Sequence, residues 1–78
     1  MDSINIFIEK IEAEFDDVKK GTLVPTTSYK DIEGWSSMQA LILIAFIDSE
    51  YDVMLSGEDL NNTLTIQDIY NIVKSKKA

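Results

Sequence analysis

The chain contains no cysteine and no histidine. These two absences exclude disulfide crosslinks, thiolate nucleophiles, most zinc sites and the side chain that most often serves as a general base near neutral pH. Proline and glycine are scarce, with one Pro and three Gly, and so are long apolar runs. No stretch approaches the roughly 18 apolar residues of a membrane-spanning helix. The segment Met1-Asp2-Ser3-Ile4-Asn5 lacks the basic and apolar regions of a secretory leader. The expectation is a soluble, cytoplasmic protein. Basic residues are also in deficit: seven lysines face fourteen acids, for a formal charge of −7. Such a chain repels phosphate backbones and anionic lipid, so nucleic acid is a poor partner and basic docking surfaces are favoured.

What is present is enough for one small domain over residues 1–78. A chain of this size buries only about 60% of its extended surface, which leaves no room for a deep cleft. At 45% hydrophobic residues it is nonetheless too rich in core formers to be disordered. Ile4, Phe7, Ile8, Ile11 and Phe15 recur at helical spacing and predict a first helix capped by Asp2 or Ser3. Gly21, Pro25, the Thr26-Thr27-Ser28 cluster and Gly34 then oppose a continuous helix, giving a long loop from Asp16 to Trp35. Leu23, Val24, Tyr29, Ile32 and Trp35 are available to pin it to the core, and Tyr29 to Ile32 suit a single short turn.

A second helix is expected from Ser37 to Tyr51, with Ser36 as N-cap and Gln39 completing a Ser-x-x-Gln capping box. Ser56 or Gly57 opens a short third helix. The last helix starts at Thr65 in a Thr-x-x-Asp box with Asp68, buries Ile66, Ile69, Tyr70 and Val73, and carries Lys74, Lys76 and Lys77 at its negative end. The fold class is all-α: a bundle of three long helices and one short one, with a long first loop.

The second helix is apolar nearly all round. On a helical wheel Ala40, Leu43, Ile44, Ile47 and Tyr51 gather on one side, with Met38, Ile42, Ala45 and Ser49 opposite. Met38 and Ile42 then either form an exposed patch or cover a neighbouring loop. Ser37, just after the N-cap, projects outward where free N–H groups and the helix dipole favour negative charge. Serines commonly do no more than start helices there, so the surrounding pattern has to carry any functional reading.

That pattern consists of Ser36-Ser37-Met38, the apolar run Leu41 to Ile47, Tyr51-Asp52-Val53 and Thr65-Ile66-Gln67-Asp68, with fourteen residues from Ser37 to Tyr51. In order and spacing, over essentially the whole chain, it resembles the acyl carrier protein family. Tyr29 to Trp35 before the serines looks like the Trp-Asp-Ser subgroup of discrete bacterial carriers. The resemblance implies that Ser37 receives a 4′-phosphopantetheine arm from coenzyme A through a phosphopantetheinyl transferase. The arm's thiol then carries an acyl or aminoacyl group as a thioester. It implies a phosphoprotein that is no enzyme itself but a monomeric substrate of acyl-activating, acyltransferase or synthase enzymes, in fatty acid, polyketide or related biosynthesis. A carried chain would fold back among Phe7, Leu41, Ile44, Ile47 and Ile69, which are core residues in any reading.

Two features depart from the family. Ser36 replaces the usual aspartate before the modified serine, which leaves the cognate transferase open. The family's outward glutamates on the second helix give way to Gln39, Ile42 and Ala45, with acids returning only at Asp48 and Glu50. Partner docking is therefore expected on Ser36, Met38, Gln39 and Ile42, rimmed by Glu33 and Asp48 and, beyond them, Glu58 and Asp59. Glu12, Glu14, Asp16 and Asp17 read as a solvated helix end and loop, and neither Asp16-Asp17 nor Glu58-Asp59 matches a calcium-ligand spacing, so no metal is expected. Two rivals stand beside the carrier: an unmodified helical interaction module, and a hydrolase using Ser37 with Lys30 in place of the missing histidine.

Overall fold

Ser3 opens the first helix, its Oγ accepting the Ile6 N–H at 3.4 Å. It caps α1, Ile4–Glu14, in a computed structural model that describes residues 2–15, 18–32 and 34–77. The expected roles of Glu33, Asp16 and Asp17 fall outside these residues. Three more helices follow: α2, Ser37–Tyr51, α3, Gly57–Asn61, and α4, Ile66–Lys77. Tyr29–Asp31 forms a single 3-10 turn in the first loop. α1 packs on α2 and α4, and α2 packs on α4. The result is the expected all-α bundle of three long helices and one short one.

Local chemistry explains the boundaries. Ser56 and Asp59 close a full capping box on α3, Ser56 Oγ accepting Asp59 N–H at 3.1 Å and Asp59 Oδ2 accepting Ser56 N–H at 3.0 Å. Thr65 and Asp68 do the same on α4, and Asp68 Oδ2 also takes the Leu64 N–H at 3.0 Å. These backbone donors hold the Asp68 carboxyl below the usual carboxylate range, first those of Thr65 and then those of Leu64. α2 ends at Asp52, whose left-handed backbone (φ 56, ψ 41) returns an N–H to Asp48 O at 2.9 Å. Lys77 at the far end of α4 donates to the Tyr51 carbonyl at 3.0 Å, tying two helix C-termini together.

Phe7, Ile47, Ile66, Ile69 and Val73 lie at the centre, essentially without solvent contact. Phe7 meets the rings of Tyr51 and Tyr70 at 5.6 and 5.4 Å. Around the N-terminus, Asp2 accepts from Lys10 Nζ at 2.8 Å and Tyr51 OH at 3.2 Å, and its carbonyl accepts Tyr70 OH at 2.8 Å. Lys10 also reaches Glu50 at 2.6 Å, which raises its pKa further above the ordinary lysine value after the larger effect of Asp2.

The first loop is held at both ends of its path. Glu12, expected in solvent, is instead 6% exposed: it lies on the inward side of α1 and its carboxylate accepts the N–H groups of Gly21 at 3.0 Å and Leu23 at 2.9 Å. A chain that turns through the left-handed Gly21 (φ 86) has no strand or helix to satisfy those donors, and a buried acid does so instead. Further along, Tyr29 N–H bonds Leu64 O (3.2 Å), Ile66 N–H bonds Thr27 O (3.1 Å) and Gln67 N–H bonds Pro25 O (2.9 Å), making an isolated antiparallel bridge between Ser28 and Thr65. Leu23 and Tyr29 are buried, and Ile32 and Trp35 pack against the core as expected. Val24 does not: it is exposed on the Pro25 turn, where its N–H is capped by Thr27 Oγ1 at 3.0 Å.

Candidate modification site

The site is built where the first loop delivers the chain to α2. Trp35 N–H bonds Ile32 O at 3.0 Å, Gly34 takes φ 84, and Ser36 is fully extended (φ −155, ψ 177) before the helix begins. This geometry makes Ser36 the N-cap, with its Oγ accepting Gln39 N–H at 3.4 Å and its carbonyl accepting Ala40 N–H at 3.0 Å. The capping box expected from Ser-x-x-Gln is only half made. Gln39 does not return a bond to Ser36; its side chain is half-buried and its Oε1 is buried without a partner.

Ser37 is the first residue of α2 and is exposed. Among the described residues no acid occupies the first turn of α2, a fifteen-residue helix whose N-terminal dipole favours an anion. Ser37 opens onto a groove of about 480 Å³ between α2 and α3, walled by Trp35, Ala40, Leu41, Ile44 and Leu60, with Lys30 and Asn61 at its polar edge. The α3 contribution was not visible in the sequence, because a five-residue helix reaches the groove only through tertiary packing. Lys30 sits over the Tyr29 ring, its Nζ 5.7 Å from the centroid.

The exposed apolar face of α2 differs from the expected one. Met38 is exposed at 69%, as anticipated, but its neighbour in solvent is Leu41 at 65%, which had been placed in the core. Ile42, expected to be outward, is half-buried against the core and borders a separate surface depression with Phe46 and Glu50. The cause is Phe46. It is buried at 9% exposure together with Leu43, Ile47 and Tyr51, and with Phe46 counted on the inner face in place of Ala40 and Ile44 the centre of the buried side lies roughly 40° further round the axis. Ala45 and Asp48 stay exposed, as expected.

The five residues expected to line an acyl pocket are thus not brought together. Leu41 and Ile44 flank the groove, while Phe7, Ile47 and Ile69 are sealed in the core. Among the described residues no cluster of acids is arranged to hold a metal ion, and no helix is long and apolar enough to cross a membrane. No protein-family model matches the chain.

Proposed function

We propose that this chain is an acyl carrier whose Ser37 accepts a 4′-phosphopantetheine arm. In the reaction the Ser37 Oγ forms a bond to the phosphorus next to pantetheine in coenzyme A, the phosphoanhydride bond to adenosine 3′,5′-bisphosphate breaks, and the hydroxyl proton is released. The observation that carries this reading is the position of Ser37: an exposed hydroxyl on the first turn of a long helix, opening directly onto an apolar groove. The helix N-terminus suits a phosphodiester. Met38 and Leu41, fully presented beside it, suit an enzyme surface that must approach the serine. Bound there, the arm would supply a thiol for thioester chemistry that a chain without cysteine cannot perform itself.

The groove walls would guide the arm along α2 and α3, and Ser36 would keep the first turn formed while a partner engages it. The cargo enters and leaves through partner enzymes, with the chain acting as their common substrate.

The test is intact mass after incubation with coenzyme A and a broad-specificity phosphopantetheinyl transferase. A gain of one phosphopantetheine, kept in Ser36→Ala and absent in Ser37→Ala, is the expected result. No gain with several transferases would overturn the reading. A second reading is favoured by the same exposed pair, Met38 and Leu41: an unmodified module that docks a partner on α2. It predicts no mass change, and binding that is insensitive to Ser37→Ala.

A further inference from the structure

Two of the seven lysines, Lys10 and Lys30, are half-buried, and both stand over a tyrosine ring. Lys10 Nζ lies 5.5 Å from the Tyr51 centroid and also meets two carboxylates, Asp2 at 2.8 Å and Glu50 at 2.6 Å. Lys30 Nζ lies 5.7 Å from the Tyr29 centroid, and among the described residues no acid pairs with it. In a chain of fourteen acids and seven lysines, a cation that gives up part of its hydration without taking a carboxylate in return calls for another anion.

The acids around it are committed elsewhere. Asp31, its neighbour in sequence, borders a separate depression of the first loop with Lys19 and Thr22. Asp59, on the helix that supplies Leu60 and Asn61 to the groove, accepts the Ser56 N–H at 3.0 Å and lies 3.7 Å from Lys76 Nζ. Lys30 instead borders the groove onto which Ser37 opens, and it is the one charged residue among those described around it. The Tyr29 ring attracts the ammonium and keeps it at the groove edge, while its three N–H donors remain available to a second partner. Neutral acceptors such as Asn61 leave the charge without a counterpart. An anion formed on Ser37 supplies one.

We infer, resting on the carrier reading above, that Lys30 is a positioning residue for the arm: its ammonium pairs with the phosphodiester on Ser37 and directs the arm into the groove between α2 and α3.

The experiment places an anion on residue 37 with and without a transferase. Ser37→Cys, the only thiol in the chain, is treated with 2-sulfonatoethyl methanethiosulfonate or its neutral 2-hydroxyethyl counterpart, each forming a disulfide with release of methanesulfinate. Tm is read for both forms with Lys30 intact, with Lys30→Gln and with Lys30→Arg, so that the neutral form corrects for any structural effect of the substitution. The gain of the anionic form over the neutral one is expected to be about 2 °C larger with Lys30 or Lys30→Arg than with Lys30→Gln. That difference should fade in about 1 M NaCl, where charges are screened beyond about 3 Å. In protein loaded from coenzyme A, the phosphorus NMR resonance of the phosphodiester is expected to move in Lys30→Gln and to return towards its wild-type position in Lys30→Arg. A resonance indifferent to Lys30→Gln would overturn the inference whatever the thiol series shows. Failure of every transferase to load Ser37, with the sulfonate gain still dependent on Lys30, would sink the carrier reading and leave Lys30 as the groove's partner for an anion. No loading together with equal gains in all three backgrounds would sink both.

Discussion

The Glu12 carboxylate accepts the Leu23 N–H at 2.9 Å in a setting from which water is almost excluded. An acid of the first helix thereby organises a loop that passes eleven residues further along the chain. Removing the acceptor while leaving the donor buried is the costly way to break such a bond. Glu12→Ala is expected to lower stability by about 2 kcal/mol, and Glu12→Gln, which keeps one acceptor oxygen, by less. Urea denaturation of the two variants checks the order.

The Asp68 carboxyl is held below its ordinary value by the Thr65 and Leu64 N–H groups, and Asp59 is lowered by the Ser56 N–H and, less strongly, by Lys76. A depressed folded-state pKa gives a contribution that is complete above the unfolded value of about 3.9 and is lost as pH falls through the folded one. Asp68→Asn should therefore melt below the wild type at neutral pH, and the gap should close as the solution is made strongly acidic. A gap that stays constant with pH would contradict the assignment.

Burial, followed by the hydrogen bond to Asp2, pushes the Tyr51 hydroxyl up to about 12. The unfolded chain loses this proton near pH 10, so stability present below that value drains away between it and the folded pKa. Tyr51→Phe should remove part of the alkaline loss of stability, measured as Tm against pH with wild type alongside.

Leu41 and Leu43 are two residues apart on α2 but have opposite surroundings. Leu43→Ala is expected to cost about 3 kcal/mol, whereas Leu41→Glu should stay within about 0.5 kcal/mol of wild type. Under the proposed function the same Leu41→Glu change impairs transfer to partner enzymes. Chemical denaturation and a loading assay on one preparation separate the two effects.

The N-caps give a graded set. Ser36 Oγ holds its N–H at 3.4 Å, with no return bond from Gln39, while Thr65 sits in a closed box with bonds of 3.1 Å each way. Thr65→Ala is expected to cost about 1 kcal/mol and Ser36→Ala about 0.5 kcal/mol, read from urea midpoints.

Helix positions were legible in the sequence because caps and periodicity are local. Ser36, Thr65-Asp68 and the apolar spacing of α1 mark their elements without reference to anything distant. What could not be read depends on packing between distant segments. Nothing near Glu12 in sequence says that a loop will bring two donors to it, and an apolar helix with no polar face gives no indication of its own rotation. In the structure Phe46 is buried, Leu41 is in solvent and Ile42 is turned toward the core. Ser37 was legible as the exposed start of α2. The groove beside it was not, since its second wall is a five-residue helix that is capped locally by Ser56 and Asp59 but placed by the burial of Leu60.

The bridge between Ser28 and Thr65 fixes an order of events. The loop that presents Ser37 is anchored in part by the Ile66 and Gln67 N–H groups, which donate to the Thr27 and Pro25 carbonyls, and by the Tyr29 N–H, which donates to Leu64 O, so part of its path is set by residues made after it. During synthesis the serine emerges well before the segment that holds its loop in place. A chain halted before Thr65 lacks these anchors and holds the loop only through Glu12 and the apolar contacts of Leu23, Tyr29 and Trp35.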